Sequence, residues 1–172
     1  MAALALLLLR VVTGGLLMGH GAQKLFGSFG GYGLKGTAGW LESLGLRPGL
    51  AWAGLAGAGE FGGGLLTVLG LGGPLGPILT ISAMKMAMFK AHSGKPIWAS
   101  AGGAELPVVN IAAGTALMMT GPGRYSLDRA FGIKIPRWLT VLVMAGSAVS
   151  LVVGLLMEPE PAEEHAAVGE GA

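Results

Sequence analysis

The sequence predicts an all-α membrane protein, built as a four-helix transmembrane bundle followed by a fifth, C-terminal transmembrane helix. The 172-residue chain is 52% apolar and 12% charged, whereas a soluble domain is about 25% charged. Its mean hydropathy of +0.68 is correspondingly high. The apolar residues form runs of roughly the 17–25 residues that a helix needs to cross a bilayer, without the alternation typical of a β-barrel.

Five apolar stretches are the predicted membrane helices, at residues 3–26, 50–71, 75–91, 104–120 and 138–157. Residues 1–128 are expected to form the four-helix transmembrane domain, and residues 138–157 an additional transmembrane helix. Pro74, Pro77 and Pro107 stand near the starts of the third and fourth stretches, as suits the first turn of a helix.

A short interfacial helix is predicted at residues 37–45, between the first two stretches. Thr37 can cap its start and Gly45 can end it. The residues that share its apolar face are Trp40, Leu41 and Leu44. A helix of this kind is expected to lie in the membrane interface.

The charged residues are unevenly distributed along the chain. Residues 1–157 carry 11 basic and 4 acidic side chains, a net charge of +7, whereas residues 158–172 carry five glutamates and no Lys or Arg. Segment 158–172 is also rich in Ala and Pro without periodicity, and we expect it to be a disordered acidic tail. The basic residues stand singly between apolar runs, so the sequence indicates no nucleic-acid binding.

The chain has no cysteine, which excludes disulfides, thiolate metal sites and cysteine-based redox catalysis. No metal site is predicted. His20 and His92 could ligate a haem only if they faced each other at equal depth, and since His92 falls at the membrane boundary the sequence disfavours haem. The sequence leaves the cofactor open, and a quinone is the candidate.

Ionisable residues within the apolar stretches are the candidates for chemistry, because a charge at membrane depth costs at least ~2.5–3.5 kcal/mol. Arg10, His20 and Lys24 fall on one stripe of the first helix at about 100° per residue. Glu60 lies about ten residues into the second helix, or roughly 15 Å deep. We expect Glu60 to pair with Lys85 of the third helix or with the stripe of the first helix.

The roles assigned to this set divide into proton transfer and ligand binding. The candidate catalytic residues are Glu60, His20 and Lys85. The candidate substrate-binding residues are Arg10, Lys24, Glu105 and His92. Lys and Arg would hold negative charge, while Glu60 or His20 would move protons. The alternative is that such pairs only fix the order and register of the helices.

Small residues at four-residue spacing predict close approach between helices. The patterns are Gly15/Gly19, Gly54/Ala58/Gly62 and Gly146/Ser150/Gly154. Segment 57–62 also matches G-x-G-x-x-G, but it lies inside an apolar helix rather than after a strand. A dinucleotide-binding interpretation is therefore excluded.

Several short motifs occur in a fixed order over roughly residues 4–128. In chain order they are Arg10, His20-Gly21, Lys24-Leu25, Glu60-Phe61 with the glycines that follow, Met84, Ala91-His92, Glu105 and segment 121–128. In this order and spacing the motifs resemble the DoxX family. The resemblance implies a small four-helix integral protein of the bacterial or archaeal cytoplasmic membrane. It also implies links to sulfur-compound oxidation that delivers electrons to quinone, and to membrane complexes that handle oxidative stress.

Three functions remain open from the sequence. The first is a DoxX-like subunit of a membrane redox assembly which, if it is an enzyme, is a quinone-linked oxidoreductase subunit using the Arg/His/Lys/Glu cluster. The second is a non-catalytic membrane anchor for partner proteins, and the third is a small-solute transporter. In each case we expect a multi-pass protein of the cell (cytoplasmic) membrane. Its partners would be the lipid bilayer and other proteins of a membrane complex, with homo-oligomerisation left open.

Overall fold

The computed structural model describes residues 1–159, and this part of the chain contains helices and loops but no strand. Its α-helices are α1 (Ala2–Phe26), α2 (Gly33–Ser43), α3 (Gly49–Leu69), α4 (Leu75–Lys90), α5 (Glu105–Thr120), α6 (Leu127–Phe131) and α7 (Arg137–Leu156). Short 3-10 turns at Ser28–Gly30 and Ala99–Ala101 lie in the α1–α2 and α4–α5 loops. The acidic tail predicted at residues 158–172 lies outside the described residues from position 160 onward.

All five predicted apolar helices are present, as α1, α3, α4, α5 and α7, and each end lies within two residues of its predicted position. Pro48, Pro74 and Pro136 directly precede α3, α4 and α7, where the absence of a proline N–H breaks no helical bond. Gly27 and Gly70 end α1 and α3 in the left-handed conformation that glycine adopts without strain. By length and composition α1 and α7 can each cross a bilayer, while α5 is apolar but shorter.

Helix α2 differs from the predicted helix at its start. It begins at Gly33, four residues before the expected cap, because glycines with φ of 76° at Gly30 and 65° at Gly33 turn the chain earlier. Thr37 is therefore buried inside α2, and its hydroxyl donates to the Lys24 carbonyl at 3.5 Å. The predicted end is confirmed, since Gly45 follows the helix with a φ of 85°.

The contact between α1 and α3 depends on glycines other than those predicted. A Cβ on Gly14 would lie 2.8 Å from the Gly64 carbonyl oxygen, and a Cβ on Gly64 would lie 2.5 Å from the Gly14 oxygen. A Cβ on Gly21 would lie 2.3 Å from the Phe61 nitrogen. The two backbones therefore pack directly against each other.

The predicted small-residue patterns were mostly wrong about which face is packed. A Cβ would meet nothing within 4 Å at the following positions: Gly15, Gly19, Gly54, Gly62 and Gly146. Gly154 alone of the patterned glycines packs closely, against Met86 and Leu46. The reason is that the buried face of α1 follows Arg10, Gly14, Leu17 and Gly21, one residue away from the predicted register.

Helix α4 is central to the described bundle, because it packs against α3, α5 and α7. The bundle has two ends, which we name after the charged residues of α1. The Arg10 end holds the start of α1, the end of α3 and the loop between α5 and α7. The Lys24 end holds the end of α1, the start of α3, the α4–α5 loop and the end of α7. Helix α2 packs on α3 at the Lys24 end through a core of Ala38, Leu41, Leu46, Trp52 and Ala53.

Candidate functional site

At the Arg10 end, the Arg10 guanidinium is buried and bonded only to backbone carbonyls. Nε donates to the Thr67 oxygen at 2.9 Å and Nη2 donates to the Val68 oxygen at 2.8 Å. Nη1 donates to the Tyr125 oxygen at 2.8 Å and to the Pro122 oxygen. Thr67 and Val68 lie in the last turn of α3, where carbonyls lack the regular donor four residues on, although the Thr67 oxygen also accepts from the Gly70 N–H at 3.1 Å. Arg10 therefore caps α3 and ties it to the segment after α5.

Asp128 completes this end of the bundle. Its carboxylate is buried and accepts hydrogen bonds from the backbone N–H groups of Gly72, at 3.0 Å, and Gly73, at 2.6 Å. It stands in α6, whose first turn is capped by Ser126, since the Ser126 Oγ accepts from the Arg129 N–H at 3.3 Å. Asp128 thus fixes the α3–α4 turn, a role that the sequence reasoning missed although the motif containing it was noticed.

At the Lys24 end, Glu60 forms an ion pair with Lys24, with 2.5 Å between Nζ and Oε2. The Glu60 side chain is 4% exposed and the Lys24 side chain is 22% exposed. The expected pairing of Glu60 with the first-helix stripe is confirmed. The alternative pairing with Lys85 was wrong, because α4 packs through the face of Thr80 and Met84 and leaves Lys85 exposed.

A cavity of about 960 Å³ adjoins this ion pair, a volume within the ~300–1,000 Å³ range of small-molecule sites. Its walls come from α1, α2, α3, α4, α5, α7 and the α4–α5 loop. The larger apolar side chains in the wall include Leu16, Leu55, Leu79, Met84, Leu106 and Val143. The charged and histidine side chains in the wall are His20, Lys24, Glu60, Lys90, His92 and Lys95. The cavity thus has apolar walls and basic groups at one end.

Of the seven candidate residues, four line the cavity: Glu60, His20, Lys24 and His92. The three that do not are Arg10, Lys85 and Glu105. Glu105 begins α5, and its Oε2 accepts from the Ala99 N–H at 2.8 Å within the α4–α5 loop. The predicted single cluster is therefore divided between the two ends of the bundle.

The two histidines are held by short-range hydrogen bonds. His20 Nδ1 lies 3.1 Å from the Gln23 Oε1. His92 Nδ1 lies 2.7 Å from the Gly102 carbonyl oxygen, so that ring nitrogen carries the proton because a carbonyl can only accept. The other nitrogen of His92 remains available to a ligand.

Lys90 and Lys95 are site residues that the sequence reasoning did not select. Lys90 Nζ donates to the Met157 carbonyl oxygen, and Lys95 Nζ donates to the Ala91 oxygen at 2.9 Å. Their spacing with His92, within six residues after a long apolar stretch, was the available signal.

The helical fold, the apolar outer surfaces and the buried ion pair beside a cavity define the class as an all-α membrane protein. The family model described as DoxX matches residues 5–93, more than half of the chain, and the protein belongs to the DoxX family. The match includes α1–α4 with Arg10, Lys24 and Glu60, and it ends before α5. No curated protein and no solved structure was found to match the chain.

Proposed function

We propose that this protein is a multi-pass subunit of a redox assembly in the cell membrane, and that its cavity receives the headgroup of a quinone. The observation that carries the proposal is the buried Lys24–Glu60 pair beside the cavity. Membership of the DoxX family supports a membrane location. An ionisable pair within a membrane protein is costly to bury and is a functional site by default.

In this proposal α1, α3, α4 and α5, within residues 1–128, form the four-helix transmembrane bundle, and α7, which corresponds to the predicted stretch 138–157, is a fifth span. The outward faces of the helices support lipid contact. Leu4, Leu8 and Leu16 of α1 and Val141 and Val149 of α7 are all more than half exposed. Continuous apolar surface of this kind is buried by lipid or by partner proteins.

The residues of the cavity fit a quinone by size and by polarity. A quinone bound there would supply an acceptor for two electrons and two protons. Lys24 would donate a hydrogen bond to an oxygen at the polar end of the cavity, and Glu60 or His20 would hold and release a proton. Because the chain has no cysteine, thiol or cysteine-ligated iron–sulfur chemistry would belong to a partner subunit.

Replacing Glu60 by Gln tests this role, because it removes the carboxylate with little change in shape. Reduction of a short-chain quinone would be measured with the protein reconstituted together with the products of neighbouring genes. Loss of a proton-transfer group lowers turnover by roughly 10²–10⁴-fold. The variant E60Q leaves the Lys24 ammonium buried without its partner, which could impair folding. The double variant K24Q/E60Q removes that ammonium as well. If E60Q misfolds for this reason, the double variant should fold normally. Lys35→Gln, an exposed residue of α2 outside the cavity, is the control.

A non-catalytic anchor is the second candidate, and the outer face of α7 favours it. Trp138, Leu142, Val152 and Leu156 are large apolar residues that are each more than half exposed on this one helix, and they would suit a partner protein as well as lipid. If the protein is only an anchor, Glu60→Gln should leave the turnover of the assembled complex unchanged. That outcome, with normal co-purification of partners, would refute the catalytic role.

A further inference from the structure

We infer that the cavity also holds an anionic amphiphile, with its negative headgroup at Lys90, His92 and Lys95 and its apolar chain between α4 and α7. The inference concerns the cavity described above but does not depend on electron transfer. It is carried by two independent features, the charges at the Lys24 end of the cavity and the small residues along its α4–α7 wall.

The charges lining the cavity do not balance. Glu60 is the one carboxylate among the lining residues, and it is already paired with Lys24. The ammonium groups of Lys90 and Lys95 bond to backbone carbonyls, and within residues 1–159 no carboxylate forms an ion pair with either of them. Each ammonium has three donors, so both retain capacity for an anionic group. With a neutral headgroup, this positive charge would have no counter-charge among residues 1–159.

His92 adjoins the same surface. Its Nδ1 donates to the Gly102 carbonyl, which fixes the ring in place. Nε2 of the neutral ring is then a hydrogen-bond acceptor, so the donors to the anionic oxygens are the ammonium groups of Lys90 and Lys95, and His92 forms the wall beside them. These residues lie at the end of α4 and the start of the following loop, so one short segment provides the headgroup site.

The apolar part of the cavity is shaped by small residues on facing helices. Ala83 and Ala87 of α4 and Gly146 and Ser150 of α7 all line it, and each pair is spaced by four residues, or one helical turn. A Cβ on Gly146 would meet nothing within 4 Å. Beside these four positions the two helices therefore leave space for an acyl chain, whereas Gly154 and Met86 pack together nearer the Lys24 end.

The binding test uses Trp52, which is buried and lines the cavity. The three other tryptophans are replaced by Phe, and the protein is placed in phosphatidylcholine nanodiscs. Quenching of Trp52 is then measured with a dibrominated fatty acid, at a pH at which the acid is ionised, and with the matching dibrominated alcohol. Dibrominated phosphatidylglycerol and phosphatidylcholine form the second pair of probes, which distinguishes a free acid from an anionic phospholipid.

We expect the acid, the phosphatidylglycerol or both to quench Trp52 more strongly than their uncharged or zwitterionic counterparts. Lys90→Gln and Lys95→Gln should each weaken this binding about tenfold, as expected for the loss of one hydrogen bond between charged groups. Lys35→Gln, at the same end of the bundle but outside the cavity, should not change it.

A second test, which does not depend on charge, fills the space between α4 and α7 that is proposed to hold the apolar chain of the ligand. Gly146→Leu adds a side chain where there is open space, so it should abolish the specific quenching without unfolding the protein. Gly19→Leu, which also meets open space but does not line the cavity, is the control. Equal quenching by the charged and uncharged probes, or full binding by both lysine variants or by Gly146→Leu, would overturn the inference. Failure of quinone reduction alone would leave it standing.

Discussion

Replacing Arg10 by Lys should destabilise the protein although the positive charge is kept. The Arg10 fork reaches carbonyls in two places, Thr67 and Val68 at the end of α3, and Pro122 and Tyr125 after α5. A lysine ends in a single nitrogen, which is a point charge rather than a planar fork. It can therefore serve one of the two places well, but not both.

The size of the effect follows from the bonds that are lost. At least two of the four hydrogen bonds would be broken, and each hydrogen bond from a charged donor contributes about 1.5–3 kcal/mol. A carbonyl that loses its donor and stays shielded from water adds a desolvation penalty. We therefore expect a loss of about 3 kcal/mol or more, which for a chain of this length lowers Tm by on the order of 10 °C.

The assay is thermal unfolding of the purified protein in detergent, followed by size-exclusion chromatography after heating. Arg124→Lys is the matched control, because Arg124 lies in the adjoining loop and is exposed, so its replacement should change Tm little. If Arg10→Lys and Arg124→Lys had the same Tm, the hydrogen bonds of the Arg10 guanidinium would not be what joins α3 to the α5–α7 loop. The reasoning above would then be wrong.

Three further predictions use the same preparation. Gly21→Ala should destabilise by about 1–3 kcal/mol because its Cβ would lie 2.3 Å from the Phe61 nitrogen, whereas Gly19→Ala should be neutral or stabilising in the same melt; equal effects would contradict the packed face assigned to α1. Asp128→Asn should lower Tm, because an NH₂ group would face a backbone N–H of the α3–α4 turn and leave it without an acceptor, at about 1–3 kcal/mol; an unchanged Tm would contradict that role. The chain has no cysteine, so Lys95→Cys and Arg124→Cys can each be labelled specifically. Because α5 separates the two positions, an impermeant maleimide should label them from opposite sides of the membrane. Labelling of both from the same side would rule out five spans.

Helix positions could be predicted from the sequence because prolines and glycines mark them directly. Pro74 directly precedes α4, Pro77 and Pro107 lie in the first turns of α4 and α5, and Gly45 follows α2. These residues act through their own backbone geometry, so no knowledge of the neighbouring helices is required. The early start of α2 was missed because Gly33 and Thr37 are both suitable starting residues, and only the local chain path decides between them.

The site could be predicted in part, since the stripe on α1 identified the side that packs against α3. Arg10 and Lys24 are 14 residues apart, about 21 Å along a helix, so they share a face without sharing a site. The exposed position of Lys85 could not be predicted from the sequence. Which face of a helix is buried depends on where its neighbours lie, and α4 packs against three other helices.

The hydrogen bonds of Arg10 to residues far along the chain have a consequence for biogenesis. Its nearest acceptor in the chain is 57 residues away and its farthest is 115 residues away. When synthesis has reached only the end of α1, none of the oxygens that accept hydrogen bonds from this side chain has yet been made. The Arg10 hydrogen bonds can therefore be completed only after the segment that follows α5 has been made.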